Sequence, residues 1–333
     1  MQLSVIILNY NVRYFLELCI KSVLESVSTI DAEVIVVDNN SSDDSCLMLE
    51  EVFRGQIRVI ENKENLGFSR AYNKAVESCL GNYICILNPD TVVAEDTFVK
   101  SIDLFESKKD IGALGCRMID GLGKFLPESK RNIPTPRIAF KKILGNSKEY
   151  YASLDERQSG YVEALAGAFI VMPKSTYIKV GGFDEDYFMY GEDIDLSLKL
   201  LKFGFKNYYC GDLTIIHFKG ESTLKNYTYA KRFYGAMYLF YKKHFKNGFL
   251  WSMLVYFMVI FLRIAYVFKK EDIAPKNRSI QEKPNIISAN NLLYKELISA
   301  LDNSKINFYI QPKASHYAVA SWGADNKGSV IEV

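Results

Sequence analysis

LSVIILNYNVRYFLELCIKSVLESVSTIDAEVIVVDNNSSDDS, residues 3–45, decides the fold. Its two apolar runs, Leu3–Leu8 and Glu33–Val37, are strand-length, and the segment between them, Val12–Ser26, carries helix-spaced apolar residues. The rhythm continues through Asp43–Phe53, Ile57–Ile60, Phe68–Ser78 and Tyr83–Leu87. Strand and helix alternating in this way predict an α/β domain, with a mostly parallel sheet covered by helices on both faces. Right-handed crossovers then place the strand C-terminal ends along one edge, where such sheets bind ligands. Polar clusters follow the strands at that edge: Asn9-Tyr10-Asn11, Asp38 to Asp43, and Asn88-Pro89-Asp90.

Further along, the pattern predicts a helix near Glu95–Ser107, a strand near Ile111–Leu114 and a mobile loop over the site from Pro127 to Tyr150. A strand Glu163–Met172, a short helix ended by Gly181-Gly182, and a helix Glu192–Phe203 closed by Gly204 come next. Phe249–Phe268, about 20 residues interrupted only by Ser252 and Arg263, is long enough to cross a bilayer as a helix. Lysines flank it on both sides, so charge does not orient it; a hairpin, an interfacial helix, a buried helix and a dimer interface stay open. The tail 271–333 carries a helical pattern around Asn291–Leu301 and no assignable role.

At 333 residues the chain accommodates one substantial core and an appendage. Lys and Arg total 41 against 39 Asp and Glu, a balance that argues against a nucleic-acid partner. The six cysteines form no CxxC pair and suit a reducing compartment. The start has neither a basic n-region nor a small-residue cleavage site, so no signal peptide is expected.

Three constellations carry chemistry. Asp90 ends a buried strand at the ligand edge, where one carboxylate suits Mg²⁺ or Mn²⁺ shared with phosphates. By itself, Asn88-Pro89-Asp90 reads better as a turn and helix cap. Glu192 and Asp193 open a helix whose buried stripe is Leu196, Leu200 and Phe203, and with Asp184, Glu185, Asp186 and Asp195 they form an acidic crowd. Partial neutralisation by a metal-diphosphate or basic ligand is the expectation for that crowd. His217 follows the strand Thr214–Ile216, a place where a lone histidine is more often structural. In addition, Gly67 leads straight into a helix whose first N–H groups, with Arg70, could receive anionic oxygens.

Taken together, SVIILNYN (4–11), VIVVDNNSSDDS (34–45), ENLGFSRAYN (64–73), LNPDT (87–91), GGFDEDYFMYGEDIDLSLKL (181–200) and IIHFKGES (215–222) resemble the family 2 glycosyltransferases of the GT-A fold, in their rhamnosyltransferase-like branch. The resemblance implies a Rossmann-like catalytic domain over 1–225, with a nucleotide-binding half (about 1–115) and an acceptor half (about 116–225). A helical region 226–270 with the membrane-associating segment 249–268 follows, then the tail. It implies that Asn9, Asp38 and Asn39 hold the nucleotide-sugar and that Asn65, Gly67, Arg70 and Asn73 line its pocket. Asn88 stands where many relatives have the first Asp of a DXD motif. Asp90 and His217 match metal ligands, Asp193 the general base, and Glu192 its acidic neighbour. Lys199 stands where many relatives place Arg, losing a bidentate fork.

The implied activity is inverting transfer of a sugar from a dTDP- or UDP-linked donor to a glycan or lipid-linked glycan acceptor. A divalent metal, Mg or Mn, assists, and the work is done at the cytoplasmic face of the cell membrane in cell-surface polysaccharide synthesis; homo-oligomerisation is a further expectation. A dinucleotide oxidoreductase is the first rival, but no GxGxxG follows the first strand. The second is an inactive transferase relative binding nucleotide-sugar or glycan at the membrane. Retention of Asp90, Asp193 and His217 weighs against it.

Overall fold

The computed structural model describes residues 1–220, 227–245, 285–304, 308–320 and 328–333. In chain order, the first half runs β1 (Leu3–Asn9), α1 (Arg13–Val27), β2 (Ala32–Asp38), α2 (Ser45–Phe53), β3 (Arg58–Glu61), α3 (Gly67–Glu77), β4 (Tyr83–Leu87), β5 (Thr91–Val92), α4 (Thr97–Ser107) and β6 (Ile111–Ile119). Then come β7 (Lys130–Arg131), α5 (Pro136–Ile143), β8 (Gly160–Val162), β9 (Ala164–Leu165), β10 (Phe169–Pro173), α6 (Lys174–Lys179), α7 (Glu192–Lys202), β11 (Lys206–His217) and α8 (Tyr227–His244). A C-terminal unit holds β12 (Ile286–Ser288), α9 (Tyr294–Ser304), β13 (Tyr309–Gln311), β14 (Tyr317–Ala320) and β15 (Ser329–Glu332).

The central sheet has the order β3-β2-β1-β4-β10-β6-β11-β5, with β8 also paired to β11. It is mixed rather than mostly parallel. The strands β1 to β4 are mutually parallel, as are β6 and β11, but β10 runs antiparallel to β4 and β6, and β5 and β8 antiparallel to β11. The cause is the long excursion after β6, from which β10 enters at the ligand edge, its Phe169 opposite Leu87 at the end of β4. That reversal brings the start of β10 into the site.

Period-two alternation builds a core on each face. Val5, Ile7, Val34, Val36, Cys85, Leu87, Phe169 and Val171 pack with α1, α2 and α4 on one face. On the other, Ile6, Ile35, Val37, Ile84, Ile86, Ile170 and Met172 pack with α3, α6 and α7. Both faces are covered because the central strands β2, β4 and β10 are apolar on both sides.

The stretch 127–150 is not a single loop: it contains a 3-10 turn at Pro127–Ser129, β7 and α5, with Thr135 accepting from the Ile138 amide as helix cap. Beyond α8, the apolar segment 249–268 lies outside the described residues. Among the described residues, no helix is long and apolar enough to cross a membrane. The described tail residues form a four-stranded sheet, β12-β13-β14-β15, with α9 beside it.

Candidate active site

The site collects where β1, β2, β4 and β11 end and β10 begins. On the nucleotide side, Asn9 and Asp38 are cross-strand partners at the ends of β1 and β2. Asn9 Nδ2 donates to Asp38 Oδ1 (2.8 Å) and to Ser41 Oγ (3.0 Å), and the Ser41 amide donates to Asp38 Oδ2 (2.8 Å). Both residues are buried, and the second amide atom of Asn9, Oδ1, has no partner.

The neighbouring asparagines are committed internally. Asn39 Nδ2 donates to Asn65 Oδ1 and the Gly67 carbonyl, while its Oδ1 accepts from Asn62 Nδ2 and the Leu66 amide. Four bonds exhaust a carboxamide, so Asn39 organises the 62–67 loop and keeps nothing for a ligand. Asn73 is exhausted likewise, between Phe183, Glu185 and the Tyr177 hydroxyl. Arg70 makes an exposed pair with Glu185 (3.3 Å). At the start of α3, the Gly67 amide goes to Asn65 Oδ1 and the Phe68 amide to the Phe188 carbonyl (2.7 Å). Two of the amides expected to face an anion are thereby taken. Gly67 itself is fixed by a φ of +78° and by the Phe188 carbonyl, which a Cβ would meet at 2.4 Å.

Asp90 and His217 meet because the end of β11 pairs with β5, His217 opposite Thr91 and the Phe218 amide on the Asp90 carbonyl. Asp90 Oδ1 lies 3.4 Å from His217 Nε2, and Asn88 Nδ2 lies 3.4 Å from the same nitrogen. Both Asp90 and His217 are buried, and His217 Nδ1 has no partner. Adjacent ligands of one octahedral ion, each at about 2.1 Å, stand about 3 Å apart, so this pair fits two positions of a Mg²⁺ or Mn²⁺ shell. Among the described residues, no group of three or more His, Cys, Asp or Glu could hold a metal. The fit is therefore that of an open site, which phosphate oxygens would complete.

Asp193 reaches the same edge from α7, after Tyr190 and Gly191, both with positive φ. Its Oδ2 accepts from Arg131 Nη2 (2.6 Å) and the Gly167 amide (3.0 Å), and its Oδ1 accepts from the Ile194 amide (2.8 Å). The next residue, Ala168, receives the Asn88 amide on its carbonyl (3.0 Å), so residues 167–168 link the Asp193 side to the Asp90 side. Burial opposes the Arg131 charge, yet Asp193 and Tyr150 together outweigh it and hold the guanidinium above its ordinary pKa. Glu192 has the opposite fortune. Burial, then the Asp193 charge, push its carboxyl up to about 8, and its Oε2 has no partner.

Arg131 is the partner of Asp193 that the sequence did not disclose. It lay in a stretch read as loop, and its partner is 62 residues away.

The acidic crowd is neutralised from within. Asp184 and Asp186 share Lys243, Asp195 pairs with His244 (2.6 Å) and Lys199 (3.5 Å), Glu185 pairs with Arg70, and Asp193 with Arg131. Burial disfavours the Asp184 charge, but Lys243 holds that carboxyl below its usual value. The expectation of a ligand cation for the whole crowd gives way to cations on α8, α7, α3 and β7. Glu192, buried in the same crowd, has no ion-pair partner among the described residues, and its Oε2 has no hydrogen-bond partner.

Comparison with known proteins fits this geometry. Residues 4–169 match the family model described as Glycosyl transferase family 2. The chain is similar to the N-acetylglucosaminyl-diphospho-decaprenol L-rhamnosyltransferase of Mycobacterium tuberculosis, 26% identical over 208 residues that span 57% of this chain and 67% of that protein. Rhamnosyltransferase WbbL of Escherichia coli K12 is 28% identical over 211 residues, 60% of this chain and 78% of that one. Among solved structures, the mannosyltransferase PcManGT from Pyrobaculum calidifontis, in complex with GDP-Man and Mn2+, shares the fold at a TM-score of 0.54 and 17% identity, covering 91% of this chain and 81% of that chain. GalNAc-T7 with UDP, GalNAc and Mn2+ does so at 0.51 and 16%, covering 86% and 59%.

Proposed function

From the membership of this chain in glycosyl transferase family 2, carried by residues 4–169, we propose that it moves a sugar with inversion from a dTDP- or UDP-linked donor to a hydroxyl of a glycan or lipid-linked glycan acceptor. The setting proposed is cell-surface polysaccharide synthesis at the cytoplasmic face of the membrane. Six free cysteines, five of them buried, support a reducing compartment, and the apolar run 249–268 supports membrane contact.

The observation that carries the reading is the disposition of Asp193 against Asp90 and His217 across residues 167–168. Asp193 Oδ2 is occupied by Arg131 and Gly167, whereas Oδ1 carries one N–H and keeps a lone pair. The acceptor hydroxyl gives its proton to Oδ1 as its oxygen attacks the anomeric carbon from the face opposite the diphosphate. Arg131 holds Asp193 aimed before the attack. Asp90 and His217 would hold the divalent ion, which when bound supplies positive charge beside the leaving diphosphate. Asn9 and Asp38 close the nucleoside end, and Asn39 shapes that wall with all its hydrogen bonds spent inside the protein.

The test is Asp193→Asn. Transfer is expected to fall by about 10²–10⁴-fold, with the nucleotide-metal dissociation constant unchanged. Transfer at the parent rate would show that the proton goes elsewhere.

A further inference from the structure

Helix α5 and the turn behind it carry charge out of proportion to the rest of the chain. Residues 136–150 hold four cations, Arg137, Lys141, Lys142 and Lys148, against one acid, Glu149, in a chain whose totals are 41 and 39. The helix it packs against, α8, has Lys and Arg but no acid. Two of the four cations are engaged within the segment: Lys141 pairs with Glu149, and Lys142 lies over the Tyr150 ring. Arg137 and Lys148 are exposed and form no ion pair among the described residues.

Apolar side chains stand in water between these two. Phe140 is 51% exposed and Leu144 70%, and the spacing 137, 140, 141, 144 places both on one face of α5 with Arg137 and Lys141. The other face is spent on packing. Ala139 lies in a cluster with Ala236, Phe240 and Tyr241 of α8, and the Tyr241 hydroxyl donates to the Pro134 carbonyl (2.8 Å) just before α5.

The chemistry of the outer face selects its occupant. Two exposed side chains offer far less than the about 800 Å² per partner that a stable protein interface buries. Apolar tips bracketed by cations instead suit an anionic lipid surface, where the tips enter the headgroup layer and the cations stay with its phosphates. The surface is also close in the chain to an apolar run, since 249–268 begins five positions after α8 ends at His244.

We propose that the outer face of α5, with Phe140 and Leu144 as apolar tips and Arg137 and Lys148 as headgroup contacts, is a membrane contact made by the catalytic domain itself on an anionic lipid surface. The proposal rests on the membrane setting of the transferase reading and goes beyond it, because that setting assigns membrane contact to 249–268. Helix α5 begins five residues after Arg131, which holds Asp193, so the contact turns the Asp193 end of the site toward the lipid.

The experiment uses the full chain with Phe140→Trp as a fluorescent reporter, both native tryptophans being replaced (Trp251→Phe, Trp322→Phe). The probe is a vesicle of equimolar phosphatidylglycerol and phosphatidylcholine with brominated chains, which quench indole on contact. Emission from the reporter is expected to shift to shorter wavelength and to be quenched. The same reporter at Leu80, 69% exposed at the opposite edge of the sheet just before β4, is expected to stay unquenched. Adding Arg137→Gln and Lys148→Gln should raise the lipid concentration at half-quenching by about fivefold per charge, and no rise overturns the headgroup contacts. Equal quenching from Leu80→Trp reduces the contact to indiscriminate adsorption and overturns the assigned face. A vesicle-free blue shift that grows with protein concentration hands the face to a second copy and overturns the lipid assignment. In the chain carrying Trp322→Phe alone, Trp251 reports on the apolar run. Quenching of Trp251 with none from Phe140→Trp overturns the α5 contact and leaves the membrane setting in place; no quenching of either overturns both. Nucleotide-metal binding equal to the parent's reports that each variant is folded, and its absence from the parent counts against the transferase reading while the quenching still decides the surface.

Discussion

Consecutive in the chain, Glu192 and Asp193 meet opposite electrostatic surroundings. Asp193 receives three N–H donors, one from a guanidinium; Glu192 is buried beside it with an unpaired oxygen and is held protonated. The raised value has a thermodynamic consequence. A carboxyl that titrates near 4.5 when unfolded and near about 8 when folded binds more protons in the native state between those pH values. Stability therefore declines as pH rises through that window. Glu192→Gln, which mimics the neutral acid, is expected to flatten the dependence of melting temperature on pH between roughly 5 and 8. Parallel curves for the two proteins would show that Glu192 titrates normally. Asp90, Asp193 and His217 stood out in the sequence because a strand end or a helix start holds each one, while the roles expected of them came from the family resemblance. Arg131 was not legible, since its role exists only through a contact 62 residues away. Nor does a motif reveal that Asn39 and Asn73 spend every donor and acceptor inside the protein.

At the scale of elements, the loop between α6 and α7 is clamped from two directions. From below, the α3 start receives it, the Phe68 amide on the Phe188 carbonyl; from the side, α8 supplies Lys243 to Asp184 and Asp186 and His244 to Asp195. The loop ends at Gly191, directly before Glu192 and Asp193, so the clamp sets where α7 begins. Gly67→Ala tests it. The substitution puts a side chain at φ +78° and drives a Cβ to 2.4 Å from the Phe188 carbonyl, so loop or helix must move. A loss of about 1–3 kcal/mol in stability is expected, accompanied by slower transfer because Asp193 shifts with α7. Unchanged melting temperature and rate would mean the loop adapts freely. The β-α-β rhythm up to β4 was legible from apolar spacing alone. The antiparallel entry of β10 was not, because a short apolar run carries no sign of its direction. The ordered segment at 127–150 was hidden by its own polarity: β7 is two residues long and owes its place to pairing with β9.

Across the whole molecule, the C-terminal unit shares one core with the catalytic domain. Phe15 and Leu18 of α1, Val92, Ile119, Ile216 and Phe218 pack with Tyr294, Leu297, Leu301, Ile310, Tyr317 and Val319. Phe218, the residue after His217, sits in that core with its ring 5.0 Å from Phe15. Polar contacts reinforce the seam: Glu95 accepts the Tyr294 and Lys295 amides at the start of α9 (2.6 and 3.0 Å), and Arg117, 2% exposed, grips both oxygens of Asp302 (2.9 and 3.0 Å) while reaching Glu156. A tail that carried no motif thus becomes part of what holds the strand end that carries His217. Arg117→Met measures this. It removes a buried guanidinium and leaves Asp302, 10% exposed, with Arg157 as its remaining hydrogen-bonded cation; such a half-broken pair costs about 3–5 kcal/mol. Because the hydrophobic core is continuous, calorimetry should record one unfolding transition displaced to lower temperature. Metal-dependent nucleotide binding should weaken in the same variant, as Phe218 loosens the hold on His217. Two separated transitions, with the catalytic domain melting as in the parent, would instead show that the C-terminal unit rides on the enzyme without setting its metal site.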